Sequence, residues 1–402
     1  MNLQFIYAIS ILLIIIVWEV LKFRVNLERR KKIRTVINVN GIRGKSSVTR
    51  LLCFALKETG RKVMSKTTGT IPQIITVDGE VREISRGAYP NINEQLKIVK
   101  EAAVSGADIL VIECMAVDPG YQKVAEEKML MSDIGVITNV RNDHREVMGT
   151  SPEAIAASLC NTIPAGKAVF TAERKCFDII RRRAEKKKAK IFRCRETASV
   201  SDEMMKPFPF LEQRENVALA LDICNYLGVN DETALRGMYK TIPDPGVLKS
   251  YRFTDRGKWF EIVDAFAVND PDSLSGIWDR MSKGFLPGEK KIMVFNCRRD
   301  RPVRSVDLAH AFKCLPIDVF ITIGTGGRLF QRVLAGAGVP RNKLFYLGMA
   351  GVNKVFELCC REASEKNLVF CAGNVKGRGM EFMEYVAQKS HEPEKNKEGG
   401  RV

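Results

Sequence analysis

The sequence lacks a zinc spacing. Its eleven cysteines are scattered, with Cys359 and Cys360 adjacent, and none forms a C-x-x-C pair. That excludes the usual structural zinc sites and reads as a reduced, cytosolic set of small core residues. No RNA- or DNA-binding signature and no internal repeat is present. Nucleic acid is the first reading of a net charge of +17, from 64 Lys+Arg against 47 Asp+Glu; without a signature it gives way to anionic lipid or an acidic substrate. Part of the surplus is local, as "RRKK" at 29–32 and "RRRAEKKKAK" at 181–190, the latter expected to be a solvated helix face. The apolar N-terminus has no basic segment ahead of it and no small-x-small cleavage site, which argues against a removed signal peptide. Histidine is scarce, three in the chain, so one lying among other polar groups stands out.

What is present at the N-terminus is a long apolar run, residues 3–21, followed by Lys22, Arg24, Arg29, Arg30, Lys31 and Lys32. Its length suits a bilayer span, Trp18 suits an interface, and the basic flank places that end in the cytoplasm with the N-terminus outside. The expectation is an uncleaved single-pass anchor over 1–23, a basic juxtamembrane linker over 24–33, and cytoplasmic catalytic domains in the cell membrane's lee. Glu19 lies near the inner end of the run.

Beyond the linker, strand and helix patterns alternate. "TVINVN", "ADILVIECM", "DIGVITNV" and "KAVFTA" read as buried strands, "KIFRC" as a weaker one, and "KSSVTRLLCFALKETG" as an amphipathic helix closed by Gly60. Such alternation predicts an α/β fold with a parallel sheet. A Pro/Gly-rich break falls at 240–253. Past it, "KWFEIVDAFA", "KKIMVFNC", "DVFITIG", "KLFYLG" and "NLVFCAG" start a second alternating unit. The expected layout is a P-loop-type central domain over 34–242, a smaller Rossmann-like domain over 243–390, and a polar, disordered tail over 391–402.

The chemistry concentrates in "INVNGIRGKSSVTRLL". A strict phosphate loop, G-x-x-x-x-G-K-[ST], would have glycine at position 39, which is Val39; a shorter G-x-x-G-K-S runs from Gly41 to Ser46. Strand, glycine loop and helix N-terminus still aim backbone N–H groups at a phosphate. Gly41, Arg43, Gly44, Lys45, Ser46 and Ser47 are the candidate nucleotide contacts. Lys45 would neutralise terminal phosphate oxygens and the Ser46 hydroxyl would ligate Mg²⁺. Mg²⁺ needs further oxygen ligands. Glu113 ends the strand "ILVIE", at the sheet edge where ligands gather. His144, in "NVRNDH" after the next strand, has Asn139 and Asp143 as neighbours. Lys45, Glu113 and His144 are the candidate catalytic residues; Ser46, Glu113 and His144 are the candidate metal ligands. "KTTGT" at 66–70 is expected to form a loop over the phosphates.

At these residues the chain resembles the Mur ligase superfamily of ATP-dependent amide-bond synthetases, whose G-T-N-G-K-[ST] loop, strand-end glutamate and N-x-x-x-D-H run match "GIRGKS", "IECM" and "NVRNDH". In the same order, "ENVALALDICNYLGV" resembles the helix whose asparagine touches adenine, here Asn216. "VDAFAVNDPDSL" resembles the run opening the C-terminal domain, implying that Asp264 and Asn269 approach ribose or base. "VFNCRRDRP" resembles G-x-G-x-D-R, with Asp300 and Arg301 aligned. Two features depart from the pattern. The place of a carbamylated, metal-binding lysine holds Leu159 or Cys160, and the interdomain arginine is absent, with Lys249 or Arg252 as substitutes. No domain for a UDP-sugar peptide precedes the loop. Together these features are similar to the ligase subunits of poly-γ-glutamate synthase.

The resemblance implies ATP and Mg²⁺ as cofactors. It implies activation of a terminal carboxylate as an acyl phosphate and attack by the amine of the next glutamate. The acceptor would be a growing poly-γ-glutamate chain made for a capsule, with multi-pass and anchored accessory subunits as partners, possible self-association and no nucleic acid. Bringing two anions together demands electrostatic stabilisation, and a cleft that closes on ATP would exclude water. An acidic polymer also accounts for the basic surplus, with Arg43, Lys66, Arg82, Arg86, Arg298, Arg299, Arg301 and Arg304 as candidates to line its path. The rival readings are another ligase of the superfamily (folylpolyglutamate or cyanophycin-like), a membrane-bound P-loop ATPase driving polymer export, and a non-catalytic scaffold. The anchor argues against the first and the intact cradle against the last.

Overall fold

Runs of β-branched and aliphatic residues become strands where their periodicity places them. In the computed structural model the described residues are 3–69, 71–85, 90–208, 210, 212–243, 249–268 and 271–391. They fall into two compact units, Met1–Asp244 and Pro245–Val402. In the first, β1 (Thr35–Asn40), β2 (Val63–Thr67), β3 (Gln73–Ile75), β4 (Val81–Glu83), β5 (Ile109–Glu113), β6 (Ile134–Ile137), β7 (Ala168–Thr171) and β8 (Lys190–Arg193) form one sheet in the order β4-β3-β2-β5-β1-β6-β7-β8. The pairings from β2 to β8 are parallel, while β3 and β4 add antiparallel at one edge.

The central strands are buried on both faces, as the continuous apolar runs require. Ile37, Val39 and Val111 pack with α2 (Lys45–Lys57) and the helices Arg214–Tyr226 and Asp231–Met238. Val36, Leu110 and Ile112 face the other way, towards α3 (Glu94–Val104). Because β5 and β6 flank β1 on opposite sides, the crossovers diverge at the C-terminal end of β1. An open parallel sheet offers its ligand crevice at such a point.

In the second unit, β9 (Lys249–Asp255), β10 (Lys258–Asp264), β11 (Lys290–Cys297), β12 (Val319–Gly324), β13 (Leu344–Gly348) and β14 (Lys366–Gly373) run in the order β13-β12-β11-β14-β10-β9. All pairs are parallel except β9 with β10. That hairpin turns through Arg256 (φ 52°) and Gly257 (φ 72°), the left-handed pair a two-residue turn demands. β9 thus starts inside the segment read from sequence as an interdomain break. All eleven cysteines are free; ten are buried and Cys314 is exposed. Arg181, Arg182 and Arg183 lie exposed on the helix Phe177–Lys186, as the run at 181–190 suggested. The final helix, Arg378–His391, ends on the first residue of the expected tail, and 392–402 lie outside the described residues.

The N-terminal expectation needs correction. Anchor and linker are one continuous helix, α1 (Leu3–Lys31), and among the described residues no helix is long and apolar enough to cross a membrane. Glu19 pairs with Lys22 at 3.4 Å. The basic half is no free linker either. Asn26 and Arg30, one helical turn apart, donate to the carbonyls of Met129 (2.9 Å) and Leu130 (2.7 Å), and Arg30 also pairs with Asp133. These contacts fix α1 to the first unit beside α3.

Candidate active site

The loop between β1 and α2 is shaped by two glycines that no other residue could replace without displacement. Gly41 has φ 128°, and a Cβ there would meet Thr138 Oγ1 at 2.0 Å; Gly44 has φ 78°, and a Cβ would meet Asn216 Oδ1 at 2.4 Å. Both φ values favour glycine. Gly44 is the residue before the first turn of α2, so the helix opens directly onto the loop and its unsatisfied N–H groups face outward from it.

The loop is tied down from the end of β6. Asn139 Oδ1 accepts from the Arg43 backbone N–H (3.0 Å), and Thr138 Oγ1 (2.6 Å) and Asn139 Nδ2 (3.1 Å) donate to the Arg43 carbonyl. The Arg43 guanidinium donates to Asp143 at 2.8 Å. From beneath, Asn216 is buried against Gly44 and donates to Glu212 Oε1 at 2.8 Å. Burial pushes the Glu212 carboxyl up to about 7, against the hydrogen bonds from Asn216 and Gln213.

Lys45 and Ser46 begin α2, with Ser47 beside them. Lys45 Nζ donates to the carbonyls of Gly41 (2.8 Å) and Ile42 (3.3 Å), curling back over its own loop. Burial draws its pKa below the ordinary lysine value, with Glu113 opposing. Val39 of β1 and Glu113 of β5 are register partners, which puts the Glu113 carboxylate beside the loop. Its Oε2 accepts from the Ser46 hydroxyl and from the Thr68 N–H, both at 2.7 Å. Glu113 therefore also links the "KTTGT" segment to the cradle; Thr70 lies outside the described residues.

A hydroxyl and a carboxylate converging at one point form a hard oxygen pair, the donor chemistry suited to Mg²⁺ or Mn²⁺. Among the described residues no group of three or more His, Cys, Asp or Glu is placed to hold a metal ion. His144 sits in a left-handed backbone conformation (φ 52°) with its ring 3.9 Å from the carboxylates of both Asp143 and Glu146. Burial lowers its pKa, with Asp143 opposing and Lys45 reinforcing. It thus senses the lysine's field without a hydrogen bond to Ser46 or Glu113. The place of the superfamily's carbamylated lysine is apolar core, with Leu159 and Cys160 both buried.

Other expected residues are placed differently. Lys66 is fully buried and paired with Glu94 at 2.9 Å, so it lines no surface path. Arg82 pairs with Glu101 and Arg252 with Glu261, and Arg86 lies outside the described residues. In the second unit Asp264 closes β10; burial pushes its carboxyl up to about 6, opposed by the Phe266 N–H and Lys249. Asn269 lies outside the described residues. Asp300 is exposed and held by Arg298 at 2.6 Å, and Arg301 precedes the helix Pro302–Phe312. Sequence reasoning missed Thr138 and Glu212. Thr138 follows β6 directly, so its place at the ligand edge was recoverable. Glu212 lies four residues before Asn216, a spacing that is a neighbour only if the helical turn extends that far.

Residues 250–389 match the model of the poly-gamma-glutamate synthase CapB C-terminal domain, and residues 39–239 match that of the Mur ligase middle domain. The capsule biosynthesis protein CapB of Bacillus anthracis is 32% identical over 96% of this chain and 84% of its own length. The PGA synthase CapB of Bacillus subtilis is 31% identical over 95% of this chain and 96% of its own. The structure of a bifunctional folylpolyglutamate synthase/dihydrofolate synthase from Yersinia pestis, complexed with AMPPNP and Mn ion, has a TM-score of 0.64. It is 14% identical and covers 91% of this chain and 92% of that one, a likeness of fold.

Proposed function

The chain belongs to the poly-γ-glutamate synthase CapB family, built on a Mur ligase middle domain, and from that premise we propose that it is an ATP-dependent amide ligase extending poly-γ-glutamate for a capsule. The observation that carries this reading is the convergence of Lys45, Ser46 and Glu113 at the C-terminal end of β1. In the reaction a terminal carboxylate of the polymer attacks the γ-phosphorus of ATP. That attack breaks the bond to the β,γ-bridging oxygen and expels ADP; the amine of glutamate then opens the acyl phosphate, losing a proton as the amide forms and expelling inorganic phosphate.

Each residue has a task in this scheme. The N–H groups at the start of α2 receive the phosphates. Lys45 leaves its loop carbonyls for the terminal phosphate oxygens and offsets the repulsion between two anions. Ser46 and Glu113 would hold a Mg²⁺ ion, which when bound supplies further charge neutralisation on the phosphates. His144, within reach of Lys45's field, steadies the transferred phosphoryl group. The Glu113–Thr68 hydrogen bond lets "KTTGT" respond to an occupied cradle.

The location is part of the proposal. Side chains between Ile9 and Phe23 are exposed around the whole of α1, and a basic flank follows, a combination suited to embedding in a membrane with the two α/β units on the cytoplasmic face. Multi-pass and anchored subunits are its expected partners. The decisive experiment supplies membranes or purified protein with ATP, Mg²⁺, labelled glutamate and a short γ-glutamyl acceptor, with hydroxylamine as a trap. Glutamate-dependent ADP release, label in longer chains and an acceptor hydroxamate support the ligase. ADP release indifferent to glutamate and acceptor would transfer the cradle to an export ATPase.

A further inference from the structure

The second unit carries a groove of about 380 Å³ that the ligase reading does not use, lined by Arg328, Gln331, Arg332, Arg341, Leu344 and Tyr346. It lies between the helix Gly327–Gly336 and β13 with the turn preceding it, Arg341–Lys343. Arg328 and Arg332 are four residues apart and therefore share a helix face; Arg341 comes from the turn. Arg328 lies over the Tyr346 ring, 5.8 Å from its centre.

Among the described residues no carboxylate lines this groove, and none is supplied by the surrounding sequence. Between Asp318 and Glu357 the chain has no acidic residue, yet it has Arg328, Arg332, Arg341, Lys343 and Lys354. Elsewhere in the same unit several arginines are matched: Arg252 to Glu261, Arg298 to Asp300, Arg361 to Glu362 and Arg378 to Glu381. Several guanidinium groups converging without a counter-charge repel one another. The arrangement is favourable when an anion with several charges completes it. Guanidinium forks match carboxylates in pairs of parallel hydrogen bonds, Gln331 adds a polar amide, and Leu344 with the Tyr346 ring offers apolar surface to methylene groups. A chain of carboxylates separated by short aliphatic spacers has this composition.

We propose that the groove holds a segment of the polycarboxylate chain other than its reacting terminus, retaining the polymer between additions. This rests on the reading that the product is an oligo-glutamate, and its test does not depend on turnover. Fluorescence anisotropy with a labelled synthetic γ-linked glutamate decamer is measured on the full chain and on the triple variant Arg328→Gln/Arg332→Gln/Arg341→Gln. Loss of about tenfold in affinity is expected, with wild-type binding weakening as salt rises. The charge-preserving triple Arg→Lys variant should recover part of the loss, which a merely structural role would not predict. In turnover, the triple Gln variant should raise KM for a long acceptor about tenfold while kcat stays unchanged. Equal decamer binding by wild type and the triple Gln variant overturns the proposal. So does tighter binding of polyphosphate of matched charge, which would assign the groove to phosphates. Failure of the ligase reading itself would register separately, as wild-type ADP release that ignores glutamate.

Discussion

Replacing Gly44 by alanine tests the cradle at its tightest point. The new Cβ would sit in a backbone with φ 78° and 2.4 Å from Asn216 Oδ1. A left-handed non-glycine residue costs roughly 1 kcal/mol. Overpacking against a side chain that cannot swing away adds roughly 1–3 kcal/mol, because Asn216 is buried and bonded to Glu212. The expected total is about 2–4 kcal/mol, read as a fall of roughly 4–16 °C in the calorimetric midpoint of the first unit. Asn216→Ala alone should cost about 1–3 kcal/mol by removing one of the two donors to the buried Glu212 Oε1, the Gln213 N–H remaining. In the double variant the alanine methyl occupies the space the carboxamide leaves, so the combined loss should fall short of the sum by about 1–2 kcal/mol. Strictly additive losses would refute the claim that Asn216 holds the loop from beneath. ATP affinity measured alongside should follow the same non-additive pattern.

Four further outcomes are expected. Lys45→Ala should lower ATP-dependent polymer formation at least about 100-fold while membrane attachment, assayed by flotation, is retained; near-normal yield would remove the lysine from the mechanism. Glu113→Ala should shift the Mg²⁺ titration of ADP release to much higher concentration, and an unmoved titration would place the metal elsewhere. His144→Ala should lower kcat and leave that titration in place, so a shift equal to that of Glu113→Ala would make the histidine a ligand. Glu212, raised from its ordinary 4.5 to about 7 by burial, binds its proton more tightly in the folded state. Its contribution is complete below about pH 4.5 and is lost as pH rises through 7. Glu212→Gln should therefore be the more stable protein at pH 8, with the advantage shrinking as pH falls and vanishing below about pH 4; a pH-independent difference in melting midpoint would contradict this.

The sequence by itself determined the central parallel strands, because a strand buried on both faces must be largely apolar, as "ILVIE" is; the edge strands β3, β4 and β9 were not legible in it. It also determined the cradle's chemistry: glycines, a lysine and a hydroxyl between strand and helix have few uses besides phosphate. Tertiary structure alone decided which of the flanking polar residues meet. Ser46 and Glu113 are far apart in the chain and touch because β1 pairs with β5 in a register that sets Val39 beside Glu113. Lys66, from sequence as good a surface cation as any other, is withdrawn by Glu94 into the interior. Asn26 and Arg30 turn an apparent linker into a docked helix because their partners are backbone carbonyls at 129 and 130, which have no signature in side-chain identity. Local pattern reports what each residue can bury or bond; strand register and helix docking select the partner, and those depend on contacts between segments distant along the chain.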